Sequence, residues 1–186
     1  DYVKALERVC RERDILLIVD EVQTGNGRTG KLYAYEHFGI SPDIVTTAKG
    51  LGGGLPLGAA MFFEKCRDVF GAGDHGSTFG GNPVACAGAV SILERLDEKL
   101  MLEVQGKSAY LFTHLGRIKN VLSVTGMGLM IGLETTKPSR EIAEKCLERS
   151  LIVLTAKNKV RLLPPLNVKK DEIDFALQIL NEVISE

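Results

Sequence analysis

The sequence predicts an α/β protein, with a mainly parallel sheet between helices in its first half and a smaller α+β unit in its second half. Three short runs, at residues 15–19, 43–48 and 57–63, are apolar or mostly apolar and do not alternate with charged residues. Runs without polar alternation are typical of strands that helices cover on both faces. Helical patterns dominate the chain after Asn82-Pro83. We therefore expect two domains, residues 1–88 and 89–186, joined by the helix that follows Pro83.

The remaining elements follow from periodicity and from helix start signals. Apolar positions at helical spacing predict a first helix over residues 1–14. Asn82 is a suitable N-cap and Pro83 a suitable first residue for a helix that runs to about residue 96. Beyond it we expect helices at 100–118, 139–149 and 169–184, and strands at 122–125, 130–134, 152–155 and 160–163.

Composition excludes several functional classes. The 186 residues include 23 Lys and Arg against 24 Asp and Glu, so there is no basic excess to neutralise a nucleic acid. The longest apolar run ends at Asp20 and is far shorter than the roughly 18 residues of a membrane-spanning helix. The four cysteines form no CxxC pair, and the three histidines lie far apart, which indicates free thiols in a cytoplasmic protein and no metal site.

A glycine motif at residues 25–30 fits the G-x-G-x-x-G pattern of dinucleotide-binding folds. In those folds the glycines follow a strand directly and open a helix. Here the predicted strand ends at about Asp20, five residues before Gly25, and no clear helical pattern follows Gly30. We therefore interpret the motif as a flexible turn, because glycine tolerates positive φ angles.

An acid and a lysine end the first two apolar runs. Asp20 and Lys49 lie 29 residues apart, about the length of a strand–crossover–strand unit, so parallel strands would present both at one sheet edge. Small residues surround Lys49 and leave space around an amine that could form an imine with an aldehyde. Pyridoxal phosphate needs such a lysine, and an acid that keeps its ring nitrogen protonated. Taken singly, each residue could be an ordinary surface charge.

Several segments together resemble the class III pyridoxal-phosphate aminotransferases. They are DEVQTG at 20–25, GRTG at 27–30, PDIV at 42–45, AKGLGGG at 48–54 and HGSTFGGNP at 75–83. Within that family, GMGLMIG at 126–132 and VRLLPPL at 160–166 are most similar to the acetylornithine and ornithine aminotransferases. The resemblance implies the second half of a type I pyridoxal-phosphate transferase large domain, followed by the small C-terminal domain.

The resemblance also implies a role for each matching residue. Lys49 would form the Schiff base with pyridoxal phosphate and carry the proton during transfer. Asp20 would pair with the ring nitrogen, and Gln23 would contact the phenolic oxygen of the ring. Ser77 and Thr78 would bind the cofactor phosphate across the interface of a homodimer. Arg161, which a structural salt bridge could also explain, would face the substrate carboxylate.

The implied reaction moves the terminal amino group of N-acetylornithine to 2-oxoglutarate by a ping-pong mechanism in arginine biosynthesis. Alternatives are an ornithine or 4-aminobutyrate aminotransferase, an aminomutase of the same fold, and a non-catalytic dimerisation or binding module. Family chains are more than twice this length. Their N-terminal half carries a glycine-rich phosphate cup, an aromatic that stacks on the cofactor and a second substrate arginine. We therefore expect a fragment that is inactive alone.

Overall fold

The computed structural model describes all 186 residues, which divide into two compact units, Asp1–Glu98 and Lys99–Glu186. Each unit has its own sheet and is described by itself. The sequence predicts a boundary between domains after residue 88, and this boundary stays a prediction.

The first unit is built on a three-stranded sheet. Its helices and strands are α1 (Tyr2–Glu12), β1 (Ile18–Asp20), β2 (Ile44–Thr47), β3 (Ala59–Phe62) and α2 (Pro83–Leu93). Strands β1 and β2 are parallel, with Asp20 opposite Thr46. Strands β2 and β3 are antiparallel, with Thr47 opposite Ala59. The order β1-β2-β3 therefore brings the end of β1, the end of β2 and the start of β3 to the same edge.

The expected mainly parallel sheet holds for only one of the two strand pairings. Residues 48–58 connect β2 to β3, and this connection is shorter than the dozen or so residues that a parallel crossover needs. The chain must therefore return antiparallel. Part of this sheet is uncovered within this chain, since Ile18 is 58% exposed and Phe62 is 38% exposed. Whether helices cover both faces in the whole protein stays a prediction.

Helix α2 starts as the sequence indicates. The Asn82 Oδ1 accepts hydrogen bonds from the backbone N–H of Val84 at 3.0 Å and of Ala85 at 3.2 Å, and Pro83 is the first helical residue. Helix α2 packs closely against the glycine-rich turn that contains Gly52. A Cβ at Gly88 would lie only 3.3 Å from the Gly52 carbonyl oxygen.

The second unit is an α+β structure whose strand pairings are all antiparallel. Its elements are α3 (Glu98–Leu115), β4 (Val121–Met127), β5 (Met130–Thr135), α4 (Ser139–Glu148), β6 (Leu154–Ala156), β7 (Lys159–Leu162) and α5 (Lys170–Ser185). The strand order is β4-β5-β7-β6. Fully buried side chains from the sheet and the helices form one core, among them Leu115, Leu133, Ile142, Val160 and Leu180.

Two further expectations concern the chain as a whole. All four cysteines are free thiols, and Cys10, Cys66 and Cys146 are buried, as the sequence indicates, whereas Cys86 is half-buried. No helix of the structure combines the length and the apolar character that crossing a membrane requires.

The hairpin between β4 and β5 generates the first prediction. Gly126 has φ 131°, and a Cβ there would lie 2.0 Å from the Met130 carbonyl oxygen. We expect Gly126→Ala to lower the free energy of unfolding by more than about 1 kcal/mol, because backbone and steric strain add. The matched control is Gly106→Ala in α3, where nothing lies within 4 Å. It should raise stability by about 0.5–1 kcal/mol. Equal effects in denaturant unfolding would contradict the hairpin geometry.

Candidate active site

The parallel pairing of β1 with β2 brings Asp20 and the Lys49 turn to one edge of the sheet. Asp20 is the last residue of β1 and lies opposite Thr46, and Lys49 follows Thr46 by three residues. The carboxyl ends of parallel strands are where α/β proteins form their sites. An acid and an amine therefore belong to the same edge.

Asp20 is held at the strand end while its side chain stays exposed. Its Oδ1 accepts a hydrogen bond of 2.9 Å from the backbone N–H of Val22. This contact fixes the carboxylate at the point where the chain leaves the sheet, and its exposure leaves it accessible to a ligand.

Lys49 lies in a strained turn. Its φ angle is 50°, which lies in a region that non-glycine residues seldom adopt. Residues held in this region cluster at functional sites. A 3.1 Å hydrogen bond from the N–H of Leu51 to the Ala48 carbonyl closes the turn around it. Lys49 is exposed, so the residues of this chain do not enclose its amine.

Most residues of the segment between β1 and the Ala34–Phe38 3₁₀ turn are buried or half-buried, which the sequence did not indicate. Glu21 is 1% exposed, and its carboxylate accepts hydrogen bonds from the Thr24 hydroxyl and from the Tyr35 N–H at 2.8 Å. Burial raises the pKa of the Tyr33 hydroxyl above its usual value, and the charge of nearby Glu21 raises it further. A Cβ at Gly25 would lie 2.9 Å from the Tyr33 ring, so only glycine fits there.

The G-x-G-x-x-G motif belongs to this buried segment. Gly27 and Gly30 have φ angles of 83° and 86°, and neither opens a helix. The interpretation of the motif as a turn is confirmed. The turn is packed rather than freely exposed, because Gly25, Gly27 and Gly30 are all buried.

The other cofactor candidates of the first unit lie in loops. Gln23 is exposed in the turn that follows β1. Ser77 and Thr78 are exposed in the loop before α2, and the Ser77 Oγ accepts a 3.0 Å hydrogen bond from the Gly80 N–H. That hydrogen bond lies within the loop, so it does not connect Ser77 to the sheet edge that carries Asp20 and Lys49.

Arg161 belongs to the second unit. It lies on β7, opposite Gly132 of β5 and Leu154 of β6, and it is half-buried. Its side chain lines a mostly apolar cavity of about 340 Å³, together with Leu163, Pro164 and others. A guanidinium in such a cavity can bind the carboxylate of a small ligand through paired hydrogen bonds.

Comparison with known proteins gives these residues a context. A family model described as aminotransferase class-III matches residues 1–184. The chain belongs to this family. Among class-III relatives, it is 44% identical over 187 residues to the acetylornithine aminotransferase of Haemophilus ducreyi, covering 100% of this chain and 48% of that protein. It is 49% identical over 191 residues to that of Clostridium acetobutylicum, covering 99% and 49%.

Solved structures of aminotransferases share the fold. The ornithine aminotransferase of Toxoplasma gondii superposes with a TM-score of 0.90 at 34% identity, covering 98% of this chain and 46% of that one. The N-acetylornithine aminotransferase of Stenotrophomonas maltophilia gives 0.88 at 32% identity, covering 98% and 50%. The chain therefore has the α/β fold of these enzymes and spans about half the length of the relatives it matches.

Proposed function

We propose that this chain is the C-terminal half of a pyridoxal-phosphate-dependent aminotransferase that moves the terminal amino group of N-acetylornithine to 2-oxoglutarate. The observation that carries the proposal is the β1–β2 register, which brings Asp20 and Lys49 to one sheet edge. Family membership over residues 1–184 supports it.

The residues present fit the cofactor. An exposed amine in a strained turn and an exposed carboxylate at the neighbouring strand end are the two groups that its aldehyde and its ring nitrogen require. When bound, pyridoxal phosphate supplies an aldehyde and an electron-withdrawing ring. The Lys49 Nζ would hold the aldehyde carbon and, once released, carry a proton as general acid and base. The Asp20 carboxylate would keep a proton on the ring nitrogen.

The remaining assigned residues would bind and orient. Gln23, in the turn after β1, would donate to the phenolic oxygen of the ring. Ser77 and Thr78 have exposed hydroxyls in a glycine-rich loop, which suits donation to a phosphate, and in a homodimer they would serve the neighbouring subunit. Arg161 would bind a substrate carboxylate with two parallel N–H groups of its guanidinium.

The choice of amino donor rests on the degree of similarity. The relatives compared by sequence, at 44% and 49% identity, are both named acetylornithine aminotransferase, and this favours the acetylated donor over ornithine. The solved structures do not separate the two donors, because an ornithine and an N-acetylornithine aminotransferase match at 34% and 32% identity. A role in arginine biosynthesis, a cytoplasmic location and a homodimer belong to the same proposal. An aminomutase or a non-catalytic module of the same fold are the alternatives that a test must separate.

The first test locates the covalent attachment. Borohydride reduction of the full-length protein with pyridoxal phosphate, followed by peptide mapping, should place the pyridoxyl group on Lys49. Lys49→Ala should abolish amino transfer, whereas the control Lys31→Ala, an exposed lysine of the same unit, should leave it intact. A pyridoxyl group on Lys65 or any other lysine would contradict the proposal. Correct attachment without transfer to 2-oxoglutarate would favour the aminomutase.

The second test removes the charge of Asp20. In Asp20→Asn the ring nitrogen loses its anionic partner, so the transition state loses stabilisation. We expect kcat to fall about a hundredfold or more, which corresponds to about 2.7 kcal/mol. Circular dichroism should show an intact fold. The control Asp68→Asn changes an exposed acid of the same unit and should keep full activity. Wild-type turnover in Asp20→Asn would show that another group protonates the ring.

The third test uses the 186-residue chain alone. The phosphate cup that the family carries in its N-terminal half is outside this sequence, so Ser77 and Thr78 would hold the phosphate with few partners. Each lost charge-assisted hydrogen bond costs about 1.5–3 kcal/mol, and two losses weaken binding at least about a hundredfold. We expect no amino transfer above that of its Lys49→Ala variant, even with excess cofactor. Turnover equal to that of the full-length protein would show that the site is complete in this chain.

A further inference from the structure

Asn26 connects the buried turn after β1 to the residues directly before Lys49. It is 8% exposed. Its Nδ2 donates hydrogen bonds to the Thr47 Oγ1 at 3.1 Å and to the Ala48 carbonyl oxygen at 3.0 Å. One amide group therefore holds the last residue of β2 and the residue that precedes Lys49.

The Ala48 carbonyl has a second role, because it also closes the turn that contains Lys49. It accepts the hydrogen bond of the Leu51 N–H at 3.1 Å, across Lys49 and Gly50. Fixing this carbonyl fixes the plane of the peptide that leads into Lys49, and hence the direction in which its side chain leaves the turn. Since the φ of 50° at Lys49 is unfavourable, the surrounding contacts must hold it in place.

The side-chain amide of Asn26 is used at its donor end only. The Oδ1 atom is buried and has no hydrogen-bond partner, which costs free energy, whereas the Nδ2 makes two bonds. The orientation is determined by its neighbours, because the Ala48 carbonyl oxygen can only accept. Asn26 itself has φ 55°, a region that asparagine tolerates better than most other residues. A residue chosen for packing alone would be apolar or glycine.

We propose that Asn26 is a positioning residue for Lys49. Through the Ala48 carbonyl it sets the direction of the Lys49 amine toward the group that this amine attacks or protonates. This inference rests on the proposed function, since it requires Lys49 to carry the cofactor.

The test is Asn26→Gly in the full-length protein with pyridoxal phosphate. Glycine keeps the positive φ without strain and removes the amide together with its single methylene. We expect the pH midpoint of the absorbance change of the Lys49-linked cofactor to move. We also expect kcat to fall about tenfold or more, because misplacing a reacting group is costly, while KM for the amino donor changes little. Asn26→Asp, which keeps the shape but turns an acceptor toward Ala48, should give the same effects.

A matched control lies in the second unit. Asn120 also has a positive φ, 72°, and its Nδ2 donates a 3.0 Å hydrogen bond to the Ile184 carbonyl. We expect both Asn120→Gly and Asn26→Gly to lower thermal stability, but Asn120→Gly should leave the absorbance midpoint and kcat at their wild-type values.

The outcomes separate the inference from the proposed function. If the wild-type protein carries no pyridoxyl group on Lys49, both are wrong. If it does, but Asn26→Gly and Asn26→Asp match Asn120→Gly in midpoint and kcat, Asn26 has a structural role only and the inference is overturned. Failure of both Asn26 variants to fold, with Asn120→Gly folded, would overturn it in the same way. A shifted midpoint with reduced kcat in either folded variant supports it.

Discussion

The backbone pairing between β1 and β2 is the constraint on which the rest of the first unit depends. The Asp43 and Ile44 N–H groups both donate to the Leu17 carbonyl, and the Glu21 N–H donates to the Thr46 carbonyl at 2.8 Å. These bonds set the register that places Asp20 opposite Thr46. A slip of one residue would turn the Asp20 side chain to the other face of the sheet. The proposed chemistry therefore depends on a backbone contact before it depends on any side chain.

The buried turn after β1 helps to hold this register. Glu21, Asn26 and Tyr33 are all less than 9% exposed, and the Glu21 carboxylate and the Asn26 Nδ2 are hydrogen-bonded to nearby groups. Burial of polar groups is costly unless they are paired, so such a turn tolerates few alternative arrangements. The glycines of residues 25–30 are thereby explained without a nucleotide, because they let the backbone pack against the Tyr33 ring and adopt positive φ angles.

Much of the fold was predictable because local patterns agree with it. Every predicted helix and strand is present, and the bounds differ by a few residues. The first strand begins at Ile18 rather than at residue 15, because the Ile15 N–H is bonded to the Cys10 carbonyl at the end of α1. The antiparallel direction of β3 was not predicted, since apolar runs carry no information on strand direction.

The site was predictable in part, for a similar reason. Asp20 and Lys49 each end an apolar run, which is a local signal, and the family motifs surround both. Asn26 and Glu21 were missed because their roles depend on partners distant in sequence, as with Asn26 and Ala48, 22 residues apart. The one signal in the sequence was the position of Asn26 between two glycines, which indicates a turn because asparagine tolerates positive φ. Exposure of Lys49 also had to be observed, because spacing does not reveal what covers a side chain.

A crystal structure of the full-length protein grown with pyridoxal phosphate tests the central claim most directly. The β1–β2 register predicts continuous electron density from the Lys49 Nζ to the aldehyde carbon of the cofactor, with the Asp20 carboxylate within hydrogen-bond distance of the ring nitrogen. Density joining the cofactor to another lysine, or a ring nitrogen that faces a group other than Asp20, would contradict it.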